Sequence, residues 1–163
     1  MSKLQKEIFA AGPADTEALG AKLAEAVTAG THIALQGGLG TGKTTLVRGF
    51  LRGLGYGGTV KSPSYTLVEC YKLPAFPLFH FDLYRLRHPG ELESIGFRDY
   101  FDGSGVCLIE WPERAGELLA APDLRLRFSF AGSGRRIRLQ PCSRRGAALL
   151  RSVDASRIPS ERS

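Results

Sequence analysis

At 163 residues, 43% hydrophobic and 23% charged, the chain has the size and composition of one ordinary globular domain, large enough to bury a core without disulfide or metal staples. Its net charge of +6 is uneven: residues 1–123 carry 12 basic and 14 acidic side chains, whereas residues 124–163 carry ten arginines against Asp154 and Glu161. Three widely spaced cysteines, Cys70, Cys107 and Cys142, exclude a disulfide framework or zinc site and predict buried thiols, and the lack of a long apolar run or signal peptide predicts a cytoplasmic protein without membrane contact.

In chain order, Asp15 is read as the cap of a helix to about residue 28, with Leu19, Leu23 and Val27 at helical spacing and Gly30 ending it. Residues 32–36, HIALQ, form a short apolar run and predict a buried strand. A glycine-rich turn follows, then a helix whose apolar face is Leu46, Val47, Phe50, Leu51 and Leu54, stopped by Gly55. Residues 65–73 and 76–83 predict a hairpin across Pro74 and Ala75. Pro89 and Gly90 open a short helix, and 98–105 reads as loop. Residues 106–110, VCLIE, are a continuous apolar run into a carboxylate, the mark of a buried parallel strand. Pro112 predicts a helix over 113–119. Two further strands, 124–130 and 136–140, are joined by AGSG. Together these predict an α/β fold: a single domain with a mixed sheet flanked by helices, of the P-loop NTPase type, over residues 1–143. Residues 144–163 are read as an arginine- and serine-rich tail, partly disordered.

The stretch from Gly37 through Gly38, Leu39, Gly40, Thr41, Gly42, Lys43 and Thr44 satisfies G-x-x-x-x-G-K-[ST] between a strand and a helix. Glycines allow successive backbone N–H groups to face phosphate oxygens, and the helix that follows favours a bound anion at its head. In this pattern the 38–45 loop, including Thr45, cradles the phosphates of ATP. Lys43 reaches the β- and γ-phosphates, and the Thr44 hydroxyl ligates Mg2+.

Such a loop needs a carboxylate at a neighbouring strand end, and two stand available: Asp82 after FHF, and Glu110 after the cleaner apolar run. His80 shares a strand face with Asp82 and reads as a structural partner rather than a base. Ser62, Ser64 and Thr66 form a hydroxyl-rich loop where P-loop proteins place a switch that senses phosphate. There is no N-K-x-D for guanine, and no protein-kinase motif set, so adenine is the default base.

GGLGTGKTTLVRGFLRGLG, VKSPSYTLVECY, FHFDLYRL, ELESIGFRDYF and LIEWPERAGELL, in this order and spacing, resemble the TsaE family over about residues 13–119. The resemblance implies a P-loop ATPase of bacterial tRNA threonylcarbamoyladenosine synthesis. It implies an ATPase weak alone and stimulated by the TsaB–TsaD pair. TsaD transfers the threonylcarbamoyl group to an adenosine of tRNA, so that tRNA is met indirectly through the complex. By the same resemblance Lys43 and Thr44 are the P-loop residues, Glu110 is the metal-side carboxylate, Asp82 is functionally important, Trp111 lies near the nucleotide and Thr16 near the adenine. Gly38 stands where many relatives carry Asp. A small-molecule kinase using Arg85, Arg87 and Arg98, a non-hydrolysing adaptor, and an RNA-binding protein acting through its arginines are the rival readings.

Overall fold

The computed structural model describes residues 5–63 and 65–154. Its strands are β1 (Lys6–Ala10), β2 (His32–Gly37), β3 (Val68–Lys72), β4 (Pro77–Asp82), β5 (Val106–Glu110), β6 (Leu124–Ala131) and β7 (Gly134–Pro141). Helices are α1 (Pro13–Ala26), α2 (Lys43–Gly53), α3 (Gly90–Ser94) and α4 (Arg144–Asp154). The strands make one sheet in the order β1-β7-β6-β2-β5-β4-β3. Its centre, β6-β2-β5-β4, is parallel, and β1, β7 and β3 add antiparallel edges.

Strand β5 is apolar because it is covered on both faces: all five of its residues are buried. On one face α1, α2 and α4 close a core with Leu19, Leu23, Leu46, Phe50, Leu126 and Ile137. On the other, Phe81, Cys107 and Ile109 pack with Leu83, Leu92, Phe97 and Ala115 from the loops after β4 and β5. Helices α1 and α2 meet closely: a Cβ on Gly49 would lie 2.1 Å from the Glu17 carbonyl oxygen, so only glycine admits this crossing.

Several expectations change. The N-terminal stretch supplies a strand, β1, whose Ile8 and Ala10 are buried beside β7. Helix α1 starts at Pro13 behind Gly12, and Asp15 reaches back to accept from the Ala11 N–H at 2.9 Å instead of capping. Residues 112–119 hold only a 3-10 turn, Pro112–Ala115. The tail expected from residue 144 begins instead as α4, which buries Leu149, Leu150 and Val153 against the core; an apolar stripe at helical spacing outweighed its arginines. Residues 155–163 lie outside the described residues. Of the cysteines only Cys107 is buried, and burial pushes its thiol up to about 12. Cys70 and Cys142 are exposed.

Candidate functional site

The parallel strands β2, β5 and β4 end level with one another: Leu35 is opposite Glu110, and Glu110 opposite Asp82. Ligands in open α/β sheets bind beyond such carboxyl ends. Here the chain leaves β2 through the glycine loop and enters α2 at Lys43. Gly40 and Gly42 hold φ values of +77° and +107°, which a side chain on Cβ resists, so the motif's glycines are required by the turn. Gly38 is different: a Cβ there meets nothing within 4 Å, so the loop has room for a side chain at this position.

A cavity of about 500 Å³ opens over this loop. Thr16, Leu39, Gly40, Gly42, Lys43, Thr44 and Thr45 line it from the loop side. Ser62, Asp82, Glu110 and Trp111 line it from the strand ends. Gly38 and Thr41 stand within the loop, and the Thr41 hydroxyl donates to the Gly38 carbonyl at 2.7 Å. Of the switch-like loop, Ser62 donates to Asp82 Oδ2 at 2.8 Å. The Thr66 hydroxyl turns back to the Val68 carbonyl at 3.3 Å, and Ser64 lies outside the described residues.

The Lys43 ammonium donates to the carbonyls of Gly37 and Gly38 at 2.6 and 2.7 Å and lies 4.7 Å from the centre of the Trp111 ring. Burial depresses its pKa below the ordinary lysine value, and Glu110, then Asp82 and Glu113, pull it back. The Thr44 hydroxyl donates to Glu110 Oε2 at 2.8 Å. That oxygen also meets His80 Nε2 at 2.7 Å. Asp82 is held separately: Oδ1 accepts from the Tyr84 N–H at 3.1 Å and Oδ2 from Ser62. The structure gives the two carboxylates separate places, and Glu110, which the resemblance put on the metal side, is the one that meets Thr44. Glu110 faces Thr44, and Asp82 faces the loop after α2.

Trp111 has φ +58°, an uncommon conformation for a bulky residue. Its N–H reaches the Leu35 carbonyl at 3.2 Å, and its ring packs on Tyr84 at 5.0 Å. Arg114 lies over both rings and donates to the Tyr84 carbonyl at 2.6 Å. Tyr84 and Arg135 also line the cavity and were not anticipated as site residues. Tyr84 follows Asp82 in FDLYRL, a signal within reach. Arg135 Nη2 donates to the Gly40 carbonyl at 3.0 Å from a hairpin 95 residues away, which no local pattern announces.

Among the described residues no cluster of three or more His, Cys, Asp or Glu could hold a metal. The Thr44–Glu110 pair is instead a two-oxygen set of the kind Mg2+ uses, since that ion takes few protein ligands and completes its shell with phosphates and water. The donor set therefore fits a phosphate-bound Mg2+.

The family described as "Threonylcarbamoyl adenosine biosynthesis protein TsaE" matches residues 10–137. The chain belongs to the TsaE family. A TsaE of Haemophilus influenzae is 50% identical over 105 residues, covering 64% of this chain and 66% of the relative. The TsaE of Bacillus subtilis is 38% identical over 124 residues, covering 76% of this chain and 77% of the relative. Both are named as tRNA threonylcarbamoyladenosine biosynthesis proteins. The crystal structure of Bacillus subtilis YdiB superposes with a TM-score of 0.81 at 31% identity, covering 93% of this chain and 95% of that one. This TsaE fold is the single-domain α/β P-loop type with a mixed sheet.

Proposed function

We propose that this chain is the ATP-binding and hydrolysing component of tRNA N6-threonylcarbamoyladenosine modification at position 37. It acts in the cytoplasm with the TsaB–TsaD pair to support repeated turnover and does not itself transfer the threonylcarbamoyl group. The observation that carries this reading is the Thr44–Glu110 hydrogen bond at the head of α2, beside Lys43 in the cavity. The family match supplies the pathway.

ATP binds with its phosphates against the backbone N–H groups of the loop and the first turn of α2. Lys43 exchanges its two loop carbonyls for β- and γ-phosphate oxygens, and its charge offsets what develops on the transferred group. Thr44 and Glu110 would hold Mg2+, which would neutralise phosphate charge. Trp111 and Tyr84 wall the site and limit water. Thr16, beneath Gly42, lies on the side that receives the base. Ser62 is the part of the hydroxyl-rich loop that acts as the switch, following the phosphate through Asp82.

Both carboxylates are engaged, Glu110 with Thr44 and His80, Asp82 with Ser62 and Tyr84. His80 is fully buried. Neither arrangement leaves a ready base for the attacking water, which supports a low rate alone and completion by a partner. The test is phosphate release with and without TsaB–TsaD, for wild type and Lys43→Ala side by side. Stimulated hydrolysis by wild type and its loss in the variant are expected. A Lys43→Ala protein with full stimulated activity would exclude this site.

A further inference from the structure

The arginines of β6 and β7 are not spread at random over the sheet. Strand β6 buries Leu124, Leu126 and Phe128 and turns Arg125, Arg127 and Ser129 to the opposite face. Strand β7 buries Ile137 and Leu139 and turns Arg136 and Arg138 to that same face. Cross-strand register sets Arg127 directly opposite Arg138, and Phe9 of β1 opposite Arg136. Helices α1 and α4 cover the other face of this half of the sheet. Arg127, Ser129, Arg136 and Arg138 are left exposed.

Like charges directly opposite one another destabilise a strand pair. Glu7 is the acid on this face, 3.0 Å from Arg136 and 3.7 Å from Arg138. Exposed pairs of this kind contribute little to stability, and one carboxylate does not balance four guanidinium groups. The face therefore carries a standing positive surplus, and a bound polyanion would relieve its internal repulsion.

We propose that this arginine face binds the sugar–phosphate backbone of RNA. Outward side chains on a strand repeat every ~7 Å and neighbouring strands lie ~5 Å apart. The result is a grid of forked donors suited to successive phosphates. An acidic protein surface would use the charge but not this regular spacing of forked donors. The cavity is lined by other residues, so RNA held here leaves it open. The choice of RNA over DNA rests on the tRNA pathway proposed above; the basic face itself does not.

The test is fluorescence anisotropy of an unmodified tRNA transcript with the full chain. Affinity should fall between about 50 and 200 mM salt with a log–log slope near −3, as four single-strand phosphate contacts require. Arg127→Glu with Arg138→Glu should weaken binding at least ~10-fold, and Arg127→Gln with Arg138→Gln should flatten the slope by about 1.4. Unchanged melting temperatures and ATP affinity would show that these variants fold. Salt-insensitive binding or a change below ~2-fold in the charge-reversed variant overturns the proposal. So do variants that keep tRNA affinity but lose TsaB–TsaD, since the occupant is then an acidic protein. Lys43→Ala should bind tRNA like wild type, which separates failure of this face from failure of the nucleotide site.

Discussion

His80 Nε2 lies 2.7 Å from Glu110 Oε2, with side chains 0% and 4% exposed. The same oxygen accepts the Thr44 hydroxyl, so an imidazole and a hydroxyl aim one carboxylate at the cavity. Among the described residues, His80 Nδ1 has no hydrogen-bond partner, so the imidazole's polar contact there is with Glu110.

His80→Ala is therefore expected to raise the Mg2+ concentration needed for nucleotide binding by several-fold. His80→Gln, which retains a donor, should recover part of it. Titrating Mg2+ against a fluorescent ATP analogue reads both. An unchanged Mg2+ dependence in folded His80→Ala would remove the positioning role.

Trp111 is the single tryptophan of the chain, and its ring centre lies 4.7 Å from Lys43 Nζ. Phosphates that draw the ammonium away alter the charge over that ring. Mg-ATP should change the tryptophan emission in a saturable way in wild type and not in Lys43→Ala. A wild-type emission indifferent to Mg-ATP would count against a nucleotide beside Lys43.

Gly49→Ala sets two effects against each other. Alanine favours a helix over glycine by about 1 kcal/mol. A Cβ 2.1 Å from the Glu17 carbonyl forces α1 and α2 apart, and overpacking of this kind costs about 1–3 kcal/mol or more. Net destabilisation is expected in urea unfolding. A stabilised variant would mean that the helices do not meet in this way.

His32 introduces a pH dependence. Burial lowers its pKa from 6.5 to about 4, against a smaller upward pull from Asp123. The unfolded chain then binds the extra proton between these values, so stability is full above about 6.5 and falls as the pH drops toward 4. The loss from this residue is on the order of 1–3 kcal/mol. His32→Phe, which keeps a ring against Phe101 at the place of a 4.9 Å contact, should show a shallower loss. Urea midpoints at pH 7.5 and 4.5 for both proteins measure it; identical slopes would contradict a neutral buried His32.

Much of this was legible along the chain. The glycine loop, the strand before it and the helix after it are local objects, each set by spacing and backbone freedom within a dozen residues. The unbroken VCLIE likewise announced a buried strand, and β5 follows it. Residues 6–10 and 144–154 were missed because short or charged segments become strand and helix only against a sheet already present. Thr66 was grouped with Ser62 by proximity, yet the two hydroxyls have different partners, the Val68 carbonyl and Asp82.

The sequence by itself determined the phosphate loop and its family, because those depend on residue type at fixed short spacing. Only the tertiary structure decided that His80 and Thr44 share one oxygen of Glu110, that Arg135 reaches Gly40, and that the arginines of β6 and β7 share one sheet face. Each of those is a matter of strand register and order between segments tens of residues apart, and register is specified by burial of the whole sheet rather than by any one stretch.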